Sequence, residues 1–244
     1  MKIFTKFFKS LKYLFFGGGQ KCICCGKEIF EDSENFCTSC KKNILKNEIF
    51  CSKCGMPTVS VTEYCSRCGG QSVHFESANS YFIYDKNCTQ ILYNYKMSCI
   101  KEVGERLSRY LCELWYRENL SIDFVTFVPS SKYALKRRRF DTSEFLAQYF
   151  CKSTSLQLVS TLDCLMGNEQ KKLNRKERFA SIKGKFAIKN KEIVDGKTIL
   201  LIDDLMTTGA TAIECSRILK KCKAKSVYVF TVFSVPQLFS EQKN

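Results

Sequence analysis

The chain has 244 residues, room for one ordinary domain and a smaller module, and its 45% apolar content with 20 Phe excludes wholesale disorder. Its 39 Lys+Arg against 24 Asp+Glu leave a net charge of +15, a surplus that attracts nucleic acid, phosphorylated metabolites or anionic lipid. Sixteen Cys with no secretory signal point to a reducing compartment, where cysteines serve metal or packing rather than a disulfide scaffold.

Residues 1–19 read as a basic amphipathic segment. Helical spacing places Lys2, Lys6, Lys9 and Lys12 on one side and Phe4, Phe8, Leu11 and Phe15 towards the other. The longest uncharged stretch, Tyr13–Gln20, is too short for a signal peptide's apolar region or a membrane span. Such a segment lies on a membrane surface or, more commonly, packs on its own protein or a partner. The expected location is cytoplasmic, with room for a peripheral position at the inner membrane face.

Residues 20–75 are polar, Cys-dense and without helical period. Cys22/Cys25, Cys37/Cys40, Cys51/Cys54 and Cys65/Cys68 are four C-x-x-C pairs separated by 11, 10 and 10 residues. One such turn aims two thiolates at a point, and two turns close a tetrahedral zinc site with Zn–S of about 2.3 Å. Eight ligands suffice for two structural zincs with four cysteines each, leaving open which pairs share a metal and whether the surplus Cys24 competes. A segment this short buries no core, so metal binding supplies its folding free energy. His74 is the only histidine, which removes multi-His metal catalysis and reads as an ordinary satisfied side chain.

Residues 76–120 connect the ribbon to the C-terminal half: a strand-like run, SANSYFIYD, then one continuous helix, TQILYNYKMSCIKEVGERLSRYLCELWYREN. From 121 to 235 apolar runs alternate with helical patterns, the signature of βαβ units and a parallel sheet. Strands are expected near 123–128, 156–161, 184–188, 198–202 and 226–233, and helices over 141–152 and 210–223. The basic stretch 166–182 reads as a long functional or mobile loop, and 236–244 as a tail.

The chemistry concentrates in Lys197–Thr211, KTILLIDDLMTTGAT, which runs from a buried strand through two acids into a small-residue turn and a helix. Ligands of open α/β sheets sit at the C-terminal ends of strands. Thr207, Thr208, Gly209, Ala210 and Thr211 offer hydroxyls and approachable N–H groups at a helix N-terminus, which favours an anion. Asp203 and Asp204 are placed to accept hydrogen bonds from vicinal hydroxyls. A sugar carrying a phosphate satisfies both halves of the site. The motif is not a P-loop, which needs G-x-x-x-x-G-K.

The stretch LLIDDLMTTGAT resembles the phosphoribosyl diphosphate (PRPP) motif of type I phosphoribosyltransferases, and the resemblance extends to the ComF family of bacterial competence-associated proteins. Tyr84 and Lys96 are similar to that family's Y-…-lKy segment. Val128-Pro129 with KYALKRRRFD over 132–141 resembles its P-V-P-l-H-R-x-R-l-R-x-R-G-F-N-Q segment. Gln170, Leu173, Arg175 and Arg178 resemble its Q-x-x-L-s-r-x-e-R segment. The family's His falls at Ser131, its Gly at Arg139, its Asn at Asp141, its Gln at Thr142, and the Asn of R-x-x-N at Ser181.

The resemblance implies an α/β fold, a type I phosphoribosyltransferase-like parallel sheet flanked by helices and preceded by the small zinc-ribbon module with its four-cysteine sites. It implies PRPP with Mg2+ as ligand and displacement of pyrophosphate at ribose C1, with positioning and charge stabilisation as the protein's part. Asp203 and Asp204 would hold the ribose hydroxyls and residues 207–211 the 5-phosphate. Lys132, Arg137, Arg138 and Arg139, with Lys171, Lys172, Arg175 and Arg178, would neutralise pyrophosphate. The loss of Gly at 139 weakens that part of the site. The acceptor is unidentified. The rival reading is a non-catalytic zinc-dependent module of the transformation machinery that binds single-stranded DNA, beside a ComF-type helicase partner and DNA-processing proteins. Lys132-Tyr133, Arg137–Phe140 and Arg178-Phe179 interleave charge with aromatics, as single-strand binding requires.

Overall fold

The computed structural model describes residues 20–29, 35–69, 72–165 and 182–236. Four strands, β3 (Ser77–Ile83), β4 (Phe124–Phe127), β7 (Thr198–Met206) and β8 (Ser226–Ser234), form one sheet in the order β3-β8-β7-β4, with every neighbour parallel. The expected parallel α/β sheet is therefore present. Alternation along the inner strands splits the core in two. Leu200, Ile202, Phe230 and Val232 face α3 (Lys101–Glu118) and α5 (Thr142–Thr154); Ile199, Leu201, Val227 and Val229 share the opposite layer with Cys215 and Leu219 of α6 (Ala210–Lys221). Burial on both faces is why residues 199–202 of β7 and 227–230 of β8 read as unbroken apolar runs.

Four expectations change. The single helix expected after β3 is two, α2 (Thr89–Lys96) and α3, because the chain breaks at 97–100, where Cys99 adopts φ 56°. Lys96, the last residue of α2, pairs with Asp204 of β7. The strand expected at 156–161 shrinks to a single parallel bridge, Leu158 beside Val125 of β4. Residues 162–164 (β5) and 186–188 (β6) instead pair antiparallel, off the main sheet, at the two ends of the 166–181 stretch. The strand expected at 198–202 runs on to Met206, so both acids belong to the strand itself. Residues 132–138, where no helix is expected, form α4 (Lys132–Arg138), capped where Ser131 Oγ accepts from Ala134 N at 3.2 Å.

The Cys-rich module holds strands β1 (Gln20–Lys21) and β2 (Glu28–Ile29), which pair antiparallel, and the short helix α1 (Thr38–Asn43). It packs on the sheet rather than dangling from it. Residues 45–47 run antiparallel beside β3, with Ile83 N donating to Leu45 O at 2.9 Å and Asn47 N to Tyr81 O at 2.8 Å. This covers the open edge of β3 and removes a template for edge-to-edge pairing. Phe36 joins the same contact, its ring 5.9 Å from Phe82 and 6.1 Å from Tyr110 of α3.

Candidate functional site

The two acids leave β7 on opposite sides of the strand and meet different surroundings. Asp204 is buried; Lys96 Nζ lies 2.6 Å from its Oδ1 and Thr142 Oγ1 donates to its Oδ2 at 2.9 Å. Both of its oxygens are therefore used within the protein. Asp203 accepts Ser143 Oγ and the Asp204 N–H on Oδ1, each at 2.9 Å, and its Oδ2 has no partner among the described residues. Burial, with the Asp204 charge beside it, pushes the Asp203 carboxyl up from its usual 3.8 to about 7, against the opposing pull of Lys96. The pair is asymmetric: Asp204 anchors α2 and α5 to the strand end, and Asp203 presents the open oxygen.

Beyond Met206 the chain turns through Thr207, Thr208 and Gly209 into α6. Gly209 takes φ 80°, a left-handed conformation that a side chain resists, and it leaves the helix start without a side-chain cap. Thr208 Oγ1 lies 3.4 Å from the Ala210 N–H, and Thr207, Thr208 and Thr211 are half-exposed. Small residues and the first-turn N–H groups of α6 thus follow directly on the C-terminal end of β7.

The start of α5 meets both acids, through Thr142 and Ser143. Asp141 caps α5, accepting from Ser143 N at 3.0 Å and Glu144 N at 3.2 Å, and its second oxygen takes Ser130 N at 2.6 Å. Thr142 and Ser143, which this cap holds, are the donors to Asp204 and Asp203. Lys132, Arg137 and Arg139 are exposed on α4 and its end, and Arg138 is half-buried. Arg137 donates to Met97 Sδ at 3.2 Å. Arg139 takes φ 63°, so the position where the resemblance places Gly does demand a left-handed residue; an Arg there costs about 1 kcal/mol. Arg175, Arg178, Lys171 and Lys172 lie outside the described residues.

The cysteines gather as sequential pairs of knuckles. Cys22, Cys25, Cys37 and Cys40 form one cluster and Cys51, Cys54, Cys65 and Cys68 another, each with all four sulfurs within 4.8 Å. Sulfur separations of 3.7 Å (Cys25–Cys37), 3.6 Å (Cys51–Cys68) and 3.4 Å (Cys54–Cys65) suit a tetrahedral zinc, for which Zn–S of about 2.3 Å spaces the ligands roughly 3.8 Å apart. The donor set fits structural zinc in both clusters. Cys24 lies beside the first cluster, in contact with Cys40, and its thiol donates to Asn87 O. Burial pushes Cys68 up to about 11, so a metal must displace thiol protons there.

The two clusters dock differently. The first is held to the helices: Asn94 Nδ2 donates to Ile23 O at 3.1 Å, and buried Arg106 donates to Asn35 Oδ1 at 2.8 Å and to Lys21 O. The second, fully buried, is held to the sheet. Gly55 packs so closely on β3 that a Cβ there would sit 2.5 Å from Ala78 O. Arg67, between Cys65 and Cys68, donates from Nη1 to Ser234 Oγ at 3.3 Å and from Nη2 to Val235 O.

Residues 147–243 match the family model of the phosphoribosyl transferase domain. The fold is of the phosphoribosyltransferase type. Residues 14–69 match the double zinc ribbon domain, in agreement with the two clusters. Solved structures similar to the phosphoribosyltransferase-type part include the glutamine PRPP amidotransferase from B. subtilis (19% identity, covering 54% of this chain and 25% of that one, TM-score 0.36). An adenine phosphoribosyltransferase shows 15% identity over 64% of this chain and 81% of that one, with TM-score 0.38. A hypoxanthine phosphoribosyltransferase from Staphylococcus aureus shows 13% identity over 55% and 64%, with TM-score 0.36. The chain spans about a quarter of the length of the amidotransferase. No curated protein matches. Among the described residues no helix is long and apolar enough to cross a membrane.

Lys96, Thr142, Ser143 and Arg67 belong to the site, although sequence alone assigns them no role in it. Lys96 is legible only as a position shared with a family segment, and Thr142 only as a departure from one. Nothing in local spacing ties either to an acid 108 or 62 residues away.

Proposed function

We propose that this chain binds PRPP or another ribose 5-phosphate ligand at the C-terminal end of β7, in a ComF-like role in competence and DNA uptake. The observation that carries the binding reading is the open Asp203 Oδ2 at the end of β7, followed by the start of the 12-residue helix α6, where Gly209 supplies no side-chain cap. An acceptor of hydroxyl protons and a cluster of anion-facing N–H groups there match the two ends of a ribose 5-phosphate. Thr207, Thr208, Gly209, Ala210 and Thr211 take the phosphate. Asp203 takes the ribose hydroxyls, while Asp204 works through Lys96 and Thr142 to hold the strand end. Lys132 and Arg137–Arg139, joined by Arg175 and Arg178, supply positive charge for a pyrophosphate group. Mg2+ would arrive with the diphosphate and needs only one or two protein carboxylate oxygens, which the open oxygen of Asp203 fits. Turnover would replace the bond from ribose C1 to pyrophosphate by a bond from C1 to the nucleophilic atom of an acceptor molecule, with pyrophosphate leaving as the anion, helped by charge placement rather than by a protein nucleophile.

Calorimetric titration of Mg2+–PRPP and of ribose 5-phosphate tests this reading. Wild type should bind and Asp203→Asn should bind at least tenfold more weakly. Equal heats in the two, or no heat in wild type, would overturn it.

A second reading is favoured by one surface. Tyr133 of α4 is 50% exposed among Lys132, Lys136, Arg137 and Arg139, with the Arg137 guanidinium 6.0 Å from its ring. Basic groups around an exposed ring are the elements of single-strand binding. Binding of an oligothymidylate that weakens steeply with salt, and weakens further in Tyr133→Ala, would support it; salt-independent binding would exclude it.

A further inference from the structure

The second zinc cluster is built into the rim of the phosphate turn. Arg67 lies two residues after Cys65 and directly before Cys68, in a knuckle whose backbone is tied by Cys68 N and Gly69 N to Cys65 O at 3.1 and 2.6 Å. Closing Cys65 and Cys68 on one metal therefore fixes the Arg67 backbone. Its side chain is buried and ends on Ser234 Oγ and Val235 O, just past the tip of β8. Val235 in turn donates its N–H to Met206 O at 2.9 Å, at the residue before Thr207. The Arg67 stem also flanks the turn: a Cβ built on Gly209 would lie 3.8 Å from Arg67 Cδ. The cluster is held to the sheet from its other knuckle as well, where Lys53 O accepts from Ala78 N at 3.0 Å. The first cluster's contacts run instead to α2 and α3 through Asn94 and Arg106.

We infer that Arg67 is a positioning residue that couples metal binding at Cys51, Cys54, Cys65 and Cys68 to ligand binding at residues 207–211. This rests on the reading of 207–211 as a ribose 5-phosphate site. Arg67 acts through Val235 and Met206, and by packing on Gly209, so a metal-filled knuckle keeps the turn in its anion-receiving shape. Coupling between two sites is reciprocal, so ligand must tighten the second zinc as much as that zinc tightens ligand. Lys in place of Arg67 keeps the charge but cannot span both acceptors with one planar fork.

The test follows zinc release from the full chain to a chromogenic chelator, with and without saturating ribose 5-phosphate, in wild type, Arg67→Lys and Arg67→Ala. In wild type the ligand should slow one of the two zincs by on the order of fivefold or more and leave the other unchanged. In Arg67→Lys the two zincs should still be present, and the ligand should no longer slow either. A purely structural role would speed release equally with and without ligand, which overturns the inference. Ligand binding confirmed by calorimetry, with wild-type release rates unmoved, overturns it while leaving the site reading intact. Absence of ligand binding in wild type overturns both. The wild-type comparison decides the matter even where Arg67→Ala fails to fold.

Discussion

Replacing Lys96 by Met tests whether Asp204 is an anchor rather than a ligand-holding group. The pair is close, 2.6 Å, with the Lys96 side chain 22% and the Asp204 side chain 6% exposed. Removing the lysine strands a carboxylate that stays buried, and breaking such a pair costs about 3–5 kcal/mol. The Thr142 hydroxyl, 2.9 Å away, still supports one oxygen, which puts the loss near the lower end, about 3 kcal/mol. For a chain of this size that lowers Tm by roughly 6–12 °C. Asp204→Asn should cost less, about 1–2 kcal/mol, because the amide keeps polar contacts and the partly exposed lysine turns to water. The double variant Lys96→Met/Asp204→Asn should be more stable than the sum of the singles predicts by about 1 kcal/mol or more. Urea unfolding of the zinc-loaded chain measures all three. Additive losses, or a Lys96→Met loss below about 0.5 kcal/mol, would refute the anchor reasoning.

The raised Asp203 carboxyl carries a stability slope. The folded chain holds that proton up to about pH 7 and the unfolded chain releases it near 3.8, so stability falls as pH rises through this window. Between pH 6 and 8, where thiolate ligands keep their zinc, Asp203→Asn should flatten the fall in urea midpoint; an unchanged profile would show that the carboxyl is not raised. Gly104→Ala should destabilise by about 1–2 kcal/mol, since overpacking outweighs the gain in helix propensity. Its Cβ would sit 2.3 Å from Tyr95 Cε2, and Tyr95 is pinned by donating to Thr142 O at 2.5 Å. A neutral or stabilising result by thermal unfolding would mean that Tyr95 can move. Metal analysis should find two zincs per chain, and chelation should expose the thiols of both clusters to a thiol reagent; one zinc would refute the two-cluster assignment.

Several features were legible because the chemistry is local in sequence. A C-x-x-C turn needs two thiols three residues apart whatever surrounds it, so all eight cysteines of the two clusters could be named from spacing alone. The strand–acid–small-turn–helix order of 198–211 likewise appears in one short window. Other expectations failed where tertiary contacts override local pattern. The helical periodicity from 89 to 119 is unbroken in sequence, yet the chain parts at 97–100, where Cys99 takes φ 56°. The apolar run at 156–161 has strand composition, but only Leu158 finds a neighbour, and residues 162–164 pair with 186–188 instead.

The amino-acid sequence by itself determined the two groups of four cysteines, the parallel α/β character and the strand–acid–turn–helix order of 198–211, because each rests on the period or spacing of nearby residues. Only the tertiary structure decided that the two acids differ: Lys96 and Thr142, brought in from 108 and 62 residues away, occupy Asp204 and leave an open oxygen on Asp203. It also decided that the second cysteine cluster meets the end of the sheet, since Arg67 reaches across 167 residues to Ser234 of β8. Burial creates both relationships. A charge or guanidinium shut away from water must be met by whichever partner the packing supplies, and that partner has no fixed distance along the chain.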